Sequence, residues 1–214
     1  MLTVKLTKNN RQQVLALAVA FLRAGKTVAY PTDTLYGLGA DALNEQAVRR
    51  VYQIKDRAFK QPIHVLVPDL AAAKKLLEWN RTAQKLAKAF LPGPLSIALP
   101  LKTRRPPLIR LSAGTGTLGF RLPKHGFAVE LARRFKRPIT ATSANPSRIR
   151  GGFDPRSAAD ITKQFAGSKA APDLIIDAGR LPRRRASTFV RISGDIVEIL
   201  REGPVSNARI RKVL

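Results

Sequence analysis

Strands and helices that alternate along a chain of 214 residues predict a single α/β domain built on a twisted, mixed parallel and antiparallel sheet flanked by helices. Three observations lead there. Short β-branched or apolar runs at 27–30, 95–99 and 173–177 are separated by segments of helical period. Two late runs, 186–192 and 195–200, face each other about Ser193-Gly194 as a hairpin. No internal repeat or long linker divides the chain, and its length is enough to bury a substantial core.

Residues 2–6 alternate apolar and polar side chains and read as a strand, after which Asn9 or Asn10 caps a helix that runs to Arg23 and is closed by Gly25. A buried strand over 27–30 follows. The text Y-P-T-D-T-L-Y-G-L-G-A-D-A at 30–42 then sits where a strand hands over to a helix, a junction at which small ligands commonly bind. Pro31 withholds an N–H, Thr32, Asp33 and Thr34 offer short polar side chains, and Gly37 and Gly39 let a ligand or another backbone come close. A plain glycine-containing turn fits the same text. Asn44 caps the next helix, whose inner positions Ala47, Val48, Val51 and Ile54 bring Lys55 and Arg57 to its C-terminal end. Cations there also offset the helix dipole without any ligand.

A strand over 62–67 precedes a helix capped by Asp69 and running to Trp79, and the helical period resumes over 81–90 until Leu91-Pro-Gly-Pro94 breaks it. The apolar strand 95–99 leads to a basic, proline-containing loop at 102–107, expected to be mobile. Residues 112–117 then enter a strand over 118–123 that carries Arg121 among apolar neighbours. An unpaired charge on a half-buried strand is costly, so Arg121 is expected to face a ligand. An amphipathic helix over 127–135 and a strand over 138–142 end in Ser143-Ala-Asn145, which suits either a ligand contact or an Asx-turn. A glycine- and arginine-containing loop to Asp154, a helix over 157–165, the strand 173–177, a basic turn at 180–185 and the hairpin complete the pattern.

Composition narrows the chemistry. With no cysteine, disulfides, thiolate catalysis and Cys-ligated zinc are excluded, and two isolated histidines, His64 and His125, argue against a His-based metal site. Thirty-nine Lys and Arg against fourteen Asp and Glu give a formal net charge of +25. Such a field favours phosphate-rich partners, nucleotide or nucleic acid, although solubilising surface charge produces the same number. No apolar run approaches a membrane span of roughly 20 residues, and the first residues lack the basic-then-apolar pattern of a secretory signal. The expected location is cytoplasmic, away from membranes.

Collected, the polar residues at strand and helix ends are Thr34, Lys55, Arg57, Arg121, Ser143, Asn145, Ser187 and Arg201, with Thr32, Asp33 and Thr117 nearby. Apart from Thr117 they fall within a series of short motifs: Pro31-Thr-Asp-Thr-Leu-Tyr-Gly-Leu-Gly-Ala40, Lys55-Asp-Arg57, Gly119-Phe-Arg-Leu-Pro123, Ala141-Thr-Ser-Ala-Asn145, Ser187-Thr188 and Leu200-Arg-Glu-Gly203, to which Leu91-Pro-Gly-Pro-Leu95 is added. In this order and spacing the set resembles the signatures of the YrdC-like threonylcarbamoyl-AMP synthases, single-domain branch. Each motif alone is weak; their joint order across nearly the whole chain is specific.

The resemblance implies a sheet with a concave basic cleft and the reaction of L-threonine, bicarbonate and ATP to threonylcarbamoyl-adenylate and pyrophosphate. It implies that the product passes to a downstream tRNA-modifying transferase complex, for an adenosine beside the anticodon. By matching position, Thr34, Arg121, Ser143 and Ser187 would face threonine, and Arg57, Thr117, Asn145 and Arg201 the nucleotide. Lys55 would join Arg57 at the phosphates as the catalytic pair. ATP would arrive with Mg²⁺, with no tightly bound cofactor and no metal-ligating residues of the protein, since no carboxylates cluster in the sequence.

The chemistry asks for such residues independently. A carbamate formed from threonine and bicarbonate must attack the α-phosphorus, and guanidinium and ammonium groups offset the repulsion between those anions. Three features depart from the family pattern. Gln61 stands where a lysine is usual, with Lys60 beside it; Arg148-Ile-Arg-Gly-Gly-Phe153 is basic and bulky where a small Ser- and Pro-containing lid is usual; and the resemblance spans 1–214 as one catalytic domain without the C-terminal domain of the longer branch. Two other readings compete: a non-catalytic binder of double-stranded RNA or tRNA, and a carbamoyl-adenylate activity on another small acceptor. The presence of both the threonine and the nucleotide residues favours the synthase.

Overall fold

The computed structural model describes residues 1–214. In the first half, β1 (Leu2–Lys5), α1 (Arg11–Arg23), β2 (Val28–Tyr30), β3 (Gly37–Gly39), α2 (Glu45–Lys55) and β4 (His64–Leu66) follow one another. Then come α3 (Leu70–Leu76), α4 (Arg81–Phe90), β5 (Leu95–Pro100), α5 (Pro106–Leu111) and β6 (Thr117–Arg121). The chain continues through α6 (Gly126–Phe135), β7 (Ile139–Ser143), a short 3₁₀ turn at Arg148–Arg150, α7 (Ala158–Gln164) and β8 (Leu174–Asp177). It closes with β9 (Thr188–Ser193), β10 (Ile196–Arg201) and α8 (Asn207–Val213).

All ten strands join one sheet in the order β1-β8-β2-β3-β7-β4-β6-β5-β9-β10. Parallel pairs (β1 with β8, β4 with β6, β5 with β9) mix with antiparallel ones (β2 with β3, β4 with β7, β9 with β10), as the α/β reading predicts.

Strand side chains alternate between faces, and the buried residues sort accordingly. Ala29, Val65, Val67 and Ile175 pack into the larger core with α2, α4, α5, α7 and α8, whereas Val28, Tyr30, Leu66, Leu174 and Ile176 pack against α1 and α6. Beyond β4 only the larger core continues, through Phe120, Leu95, Ile97, Leu99, Val190 and Ile192. The opposite face of β6, β5 and β9 presents Gly119, Arg121, Ser96 and Phe189, none of which belongs to the smaller core. Half of one sheet face is thus left for the site.

Several local expectations are corrected. Residues 37–39 form β3 rather than a loop, because the Tyr30 ring lies across both glycines. A Cβ at Gly37 would meet Tyr30 Cζ at 2.8 Å, and one at Gly39 would meet Ile139 Cγ2 at 2.7 Å. The Tyr30 ring, with Ile139 at Gly39, leaves no room for a side chain at either position. Gly39→Ala is therefore expected to cost about 1–3 kcal/mol by overpacking, read as a lowered midpoint in chemical denaturation. An unchanged midpoint would show that Tyr30 yields freely.

The basic loop at 102–107 is shorter than expected, since Pro106 and Pro107 start α5, where their missing N–H groups cost nothing. The helix capped by Asp69 stops at Leu76 rather than Trp79, because Leu77 turns extended and bridges to Leu101. At Asn10 the side chain does not cap α1 but accepts from the Thr7 N–H and donates to the Lys5 carbonyl. The C-terminal α8, capped by Ser206 and anchored by buried Ile210, was not anticipated; with one deeply buried residue in seven, its period is hard to read.

Candidate active site

A cavity of about 420 Å³ opens on the uncovered half of the sheet. Its lining includes Thr34, Lys55, Arg57, Arg121, Ser143, Asn145, Ser187 and Arg201, so eight of the nine site residues expected from the sequence converge. Thr117 is the exception. It starts the strand that Arg121 ends, four residues or roughly 13 Å away at strand rise, and its hydroxyl contacts Thr115 Oγ1. Gln61 lines the cavity; Lys60, exposed, does not, so it does not replace the usual lysine there.

Arg121 is not the unpaired charge the sequence implied. Its Nη2 donates to Asp33 Oδ1 at 2.8 Å and its Nη1 to Thr34 Oγ1 at 3.3 Å. The Asp33 side chain is only 4% exposed and also accepts the Lys124 N–H. Asp33 thus orients the guanidinium, whose buried Nε has no protein partner. The TDT text holds the signal: an acid one residue before Thr34 supplies the counter-ion that a strand arginine needs.

Lys55, 3% exposed, also differs from expectation. Its Nζ donates to the Ser143 carbonyl (2.7 Å), the Asn145 carbonyl (2.5 Å) and Asn145 Oδ1 (2.9 Å). Three ammonium protons meet three acceptors, so here Lys55 fixes the end of β7 rather than reaching for a ligand. Burial first, then the charges of Arg57 and Arg148, push this ammonium down to about 7. Ser143 Oγ donates to Asn145 Oδ1 at 2.5 Å, which completes the cluster.

Arg57 follows the left-handed C-cap Asp56 (φ 45°) and donates through Nη2 to the Gln61 and Pro62 carbonyls, while its buried Nε has no partner. Arg201 grips Ser187 through its carbonyl (3.0 and 2.9 Å) and hydroxyl (3.2 Å), and Ser187 Oγ contacts Ser96 Oγ at 2.9 Å. Burial holds both guanidiniums below their ordinary values, and at Arg201 the charges of Arg121 and Arg148 add to it.

Five cations, Lys55, Arg57, Arg121, Arg148 and Arg201, line the space with one carboxylate, Asp154, which is paired with Arg148 and Arg156. Arg156 also donates to the Pro182 and Arg184 carbonyls, pinning the basic 180–185 segment by the mouth. The arrangement suits an elongated anion with short hydroxyl contacts at one end. No group of three or more His, Cys, Asp or Glu residues is placed to hold a metal ion.

A family model of the Sua5/YciO/YrdC proteins, described as "telomere recombination", matches residues 20–203. The chain belongs to the Sua5/YciO/YrdC family. Threonylcarbamoyl-AMP synthase of Pyrococcus abyssi is 36% identical over 201 residues, covering 94% of this chain and 57% of that protein. The Bacillus subtilis protein of the same name is 35% identical, covering 99% of this chain and 59% of its own length. The chain therefore spans a little under three fifths of these curated Sua5/YciO/YrdC relatives. The crystal structure of P. abyssi Sua5 complexed with L-threonine superposes with a TM-score of 0.87 at 34% identity, over all of this chain and 60% of that one. Escherichia coli YciO shares the fold at a TM-score of 0.80 and 24% identity, with 95% of each chain covered.

Proposed function

We propose that this chain, read as one catalytic domain over 1–214, condenses L-threonine, bicarbonate and MgATP to threonylcarbamoyl-AMP and pyrophosphate. The observation that carries the reading is one cavity lined both by Thr34, Arg121, Ser143 and Ser187, the residues expected at threonine, and by Arg57, Asn145 and Arg201, those expected at the nucleotide. Relatives named as threonylcarbamoyl-AMP synthases and the threonine complex of P. abyssi Sua5 support the substrate class.

In this reading Arg121, oriented by Asp33, receives the threonine carboxylate, with Thr34 and Ser187 hydroxyls beside it. Arg57 and Arg201 offset the triphosphate charge, and Lys55 holds Ser143 for threonine and Asn145 for the nucleotide. Mg²⁺ enters as part of the substrate MgATP. Most of the acceleration then comes from bringing carbamate and α-phosphorus together in a cation-rich cavity. The product would pass to a tRNA-modifying transferase in the cytoplasm. No helix is long and apolar enough to cross a membrane.

The competing RNA-binder reading calls for cations gathered on one face. RNA affinity with steep salt dependence and no adenylate formation would favour it. Pyrophosphate release from ATP and bicarbonate, compared with L-threonine, L-serine and no amino acid, tests the reading. Threonine-dependent release is expected; folded protein that releases nothing would refute it. Within that assay Arg57→Ala is expected to lower kcat/KM for ATP roughly thirtyfold, about 2 kcal/mol for a lost charge-assisted contact. Unaltered ATP dependence would remove Arg57 from the phosphate site.

A further inference from the structure

His64 is the one cavity group that combines a free polar ring with a central position, and neither the family motifs nor the charge pattern assigns it a role. Its imidazole lies flat on β6: a Cβ at Gly119 would come within 2.5 Å of Cδ2 and 2.9 Å of Nε2. Phe189 packs on it, ring centroids 4.3 Å apart and tilted by 53°. Glycine beneath and phenylalanine beside it fix the ring, yet its nitrogens make no hydrogen bond to the protein and His64 lines the cavity. Burial, followed by the charges of Arg201, Arg121 and Arg57, holds it neutral down to about pH 3. On β4, His64 lies between β7, which ends at Ser143, and β6, which ends at Arg121, and all three line the cavity.

We infer that the His64 ring N–H receives the one-carbon unit, binding bicarbonate first and then one oxygen of the carbamate. The inference rests on the synthase reading. Threonine ammonium and bicarbonate give the carbamate with release of one water and one proton. One carbamate oxygen then forms a bond to the α-phosphorus while the bridging oxygen between α- and β-phosphorus leaves with pyrophosphate, taking the bonding electron pair. The second carbamate oxygen becomes the carbonyl of the mixed anhydride. A hydrogen bond from His64 to that second oxygen leaves the first free to attack. A neutral imidazole suits this task, because it donates without adding a charge to a site already holding four guanidiniums, and neutral histidine polarises a carbonyl in known enzymes by the same logic.

The test uses the full chain and two readouts. In the pyrophosphate assay His64→Phe, which keeps the ring packing but loses the N–H, is expected to raise the KM for bicarbonate at least tenfold while the KM values for ATP and threonine move less than twofold. His64→Gln, which restores a donor, is expected to recover part of the loss. Because the protein has only two histidines, its ring Hε1 signals are readily assigned by proton NMR with a His125→Gln variant. Bicarbonate with threonine is expected to shift the His64 signal and leave that of His125 in place. An unchanged bicarbonate KM in His64→Phe, a defect confined to ATP or threonine, or a stationary His64 signal would each overturn the inference. No threonine-dependent release from the unsubstituted protein would instead remove the reading beneath it, and the NMR arm still reports whether His64 meets the anion.

Discussion

Arg121→Ala is expected to abolish threonine-dependent pyrophosphate release and at the same time to destabilise the fold. Both effects come from the pair with Asp33. The carboxylate is 4% exposed and the guanidinium side chain 11%, so removing the arginine strands a buried charge whose remaining donor is the Lys124 N–H. Breaking a buried pair from one side costs on the order of 3–5 kcal/mol. Chemical denaturation measures that loss. The double variant Asp33→Asn with Arg121→Met separates the two effects: it is expected to regain stability but no activity, since the stranded charge is gone and the carboxylate receptor with it. Full activity in Arg121→Ala would show that threonine binds elsewhere, and undiminished stability would show that Asp33 finds water or another cation.

Lys55→Met is expected to leave the protein folded, destabilised by about 1–3 kcal/mol, and to lower kcat/KM by at least about a hundredfold. Methionine fills the volume but donates nothing, so the Ser143 and Asn145 carbonyls and Asn145 Oδ1 lose their common partner. The larger effect falls on the reaction because Ser143 and Asn145 then drift from the place they must hold. A second measurement isolates the ammonium. Lys55 titrates near 7, so at pH 8 it is mostly neutral; the bound triphosphate counters Arg57 and Arg148 and raises its value, drawing in up to one proton. Calorimetry of MgATP binding at pH 8 in two buffers of different ionisation enthalpy should therefore report proton uptake, absent in Lys55→Met. Uptake that persists in the variant would assign the proton to another group.

Much of this site could be read before its geometry was known. Thr34, Arg57, Arg121, Ser143, Asn145, Ser187 and Arg201 sit at the ends of elements whose periods are plain in the text, and element ends are where a sheet exposes polar side chains. Lys55 was legible as a site residue but not in its role, because three carbonyl-type acceptors from residues 143 and 145 lie about ninety positions away in the chain. Thr117 is near Arg121 in sequence, but strand rise carries it away from the other eight residues and out of the cavity lining.

By itself the sequence determined the alternation of strands and helices, the caps at Asn44 and Asp69, the absence of thiol chemistry and the family motifs, because each is set by local chemistry within a few residues. Only the tertiary structure decided that Gly37 and Gly39 make room for Tyr30, that Asp33 rather than a ligand neutralises Arg121, and that Lys55 ties down β7. His64 belongs with these. Its spacing says only that it lies on a strand; what leaves its ring free at the centre of the cavity is Gly119 and Phe189 on two other strands, and contacts between distant strands are set by sheet order, which no local pattern encodes.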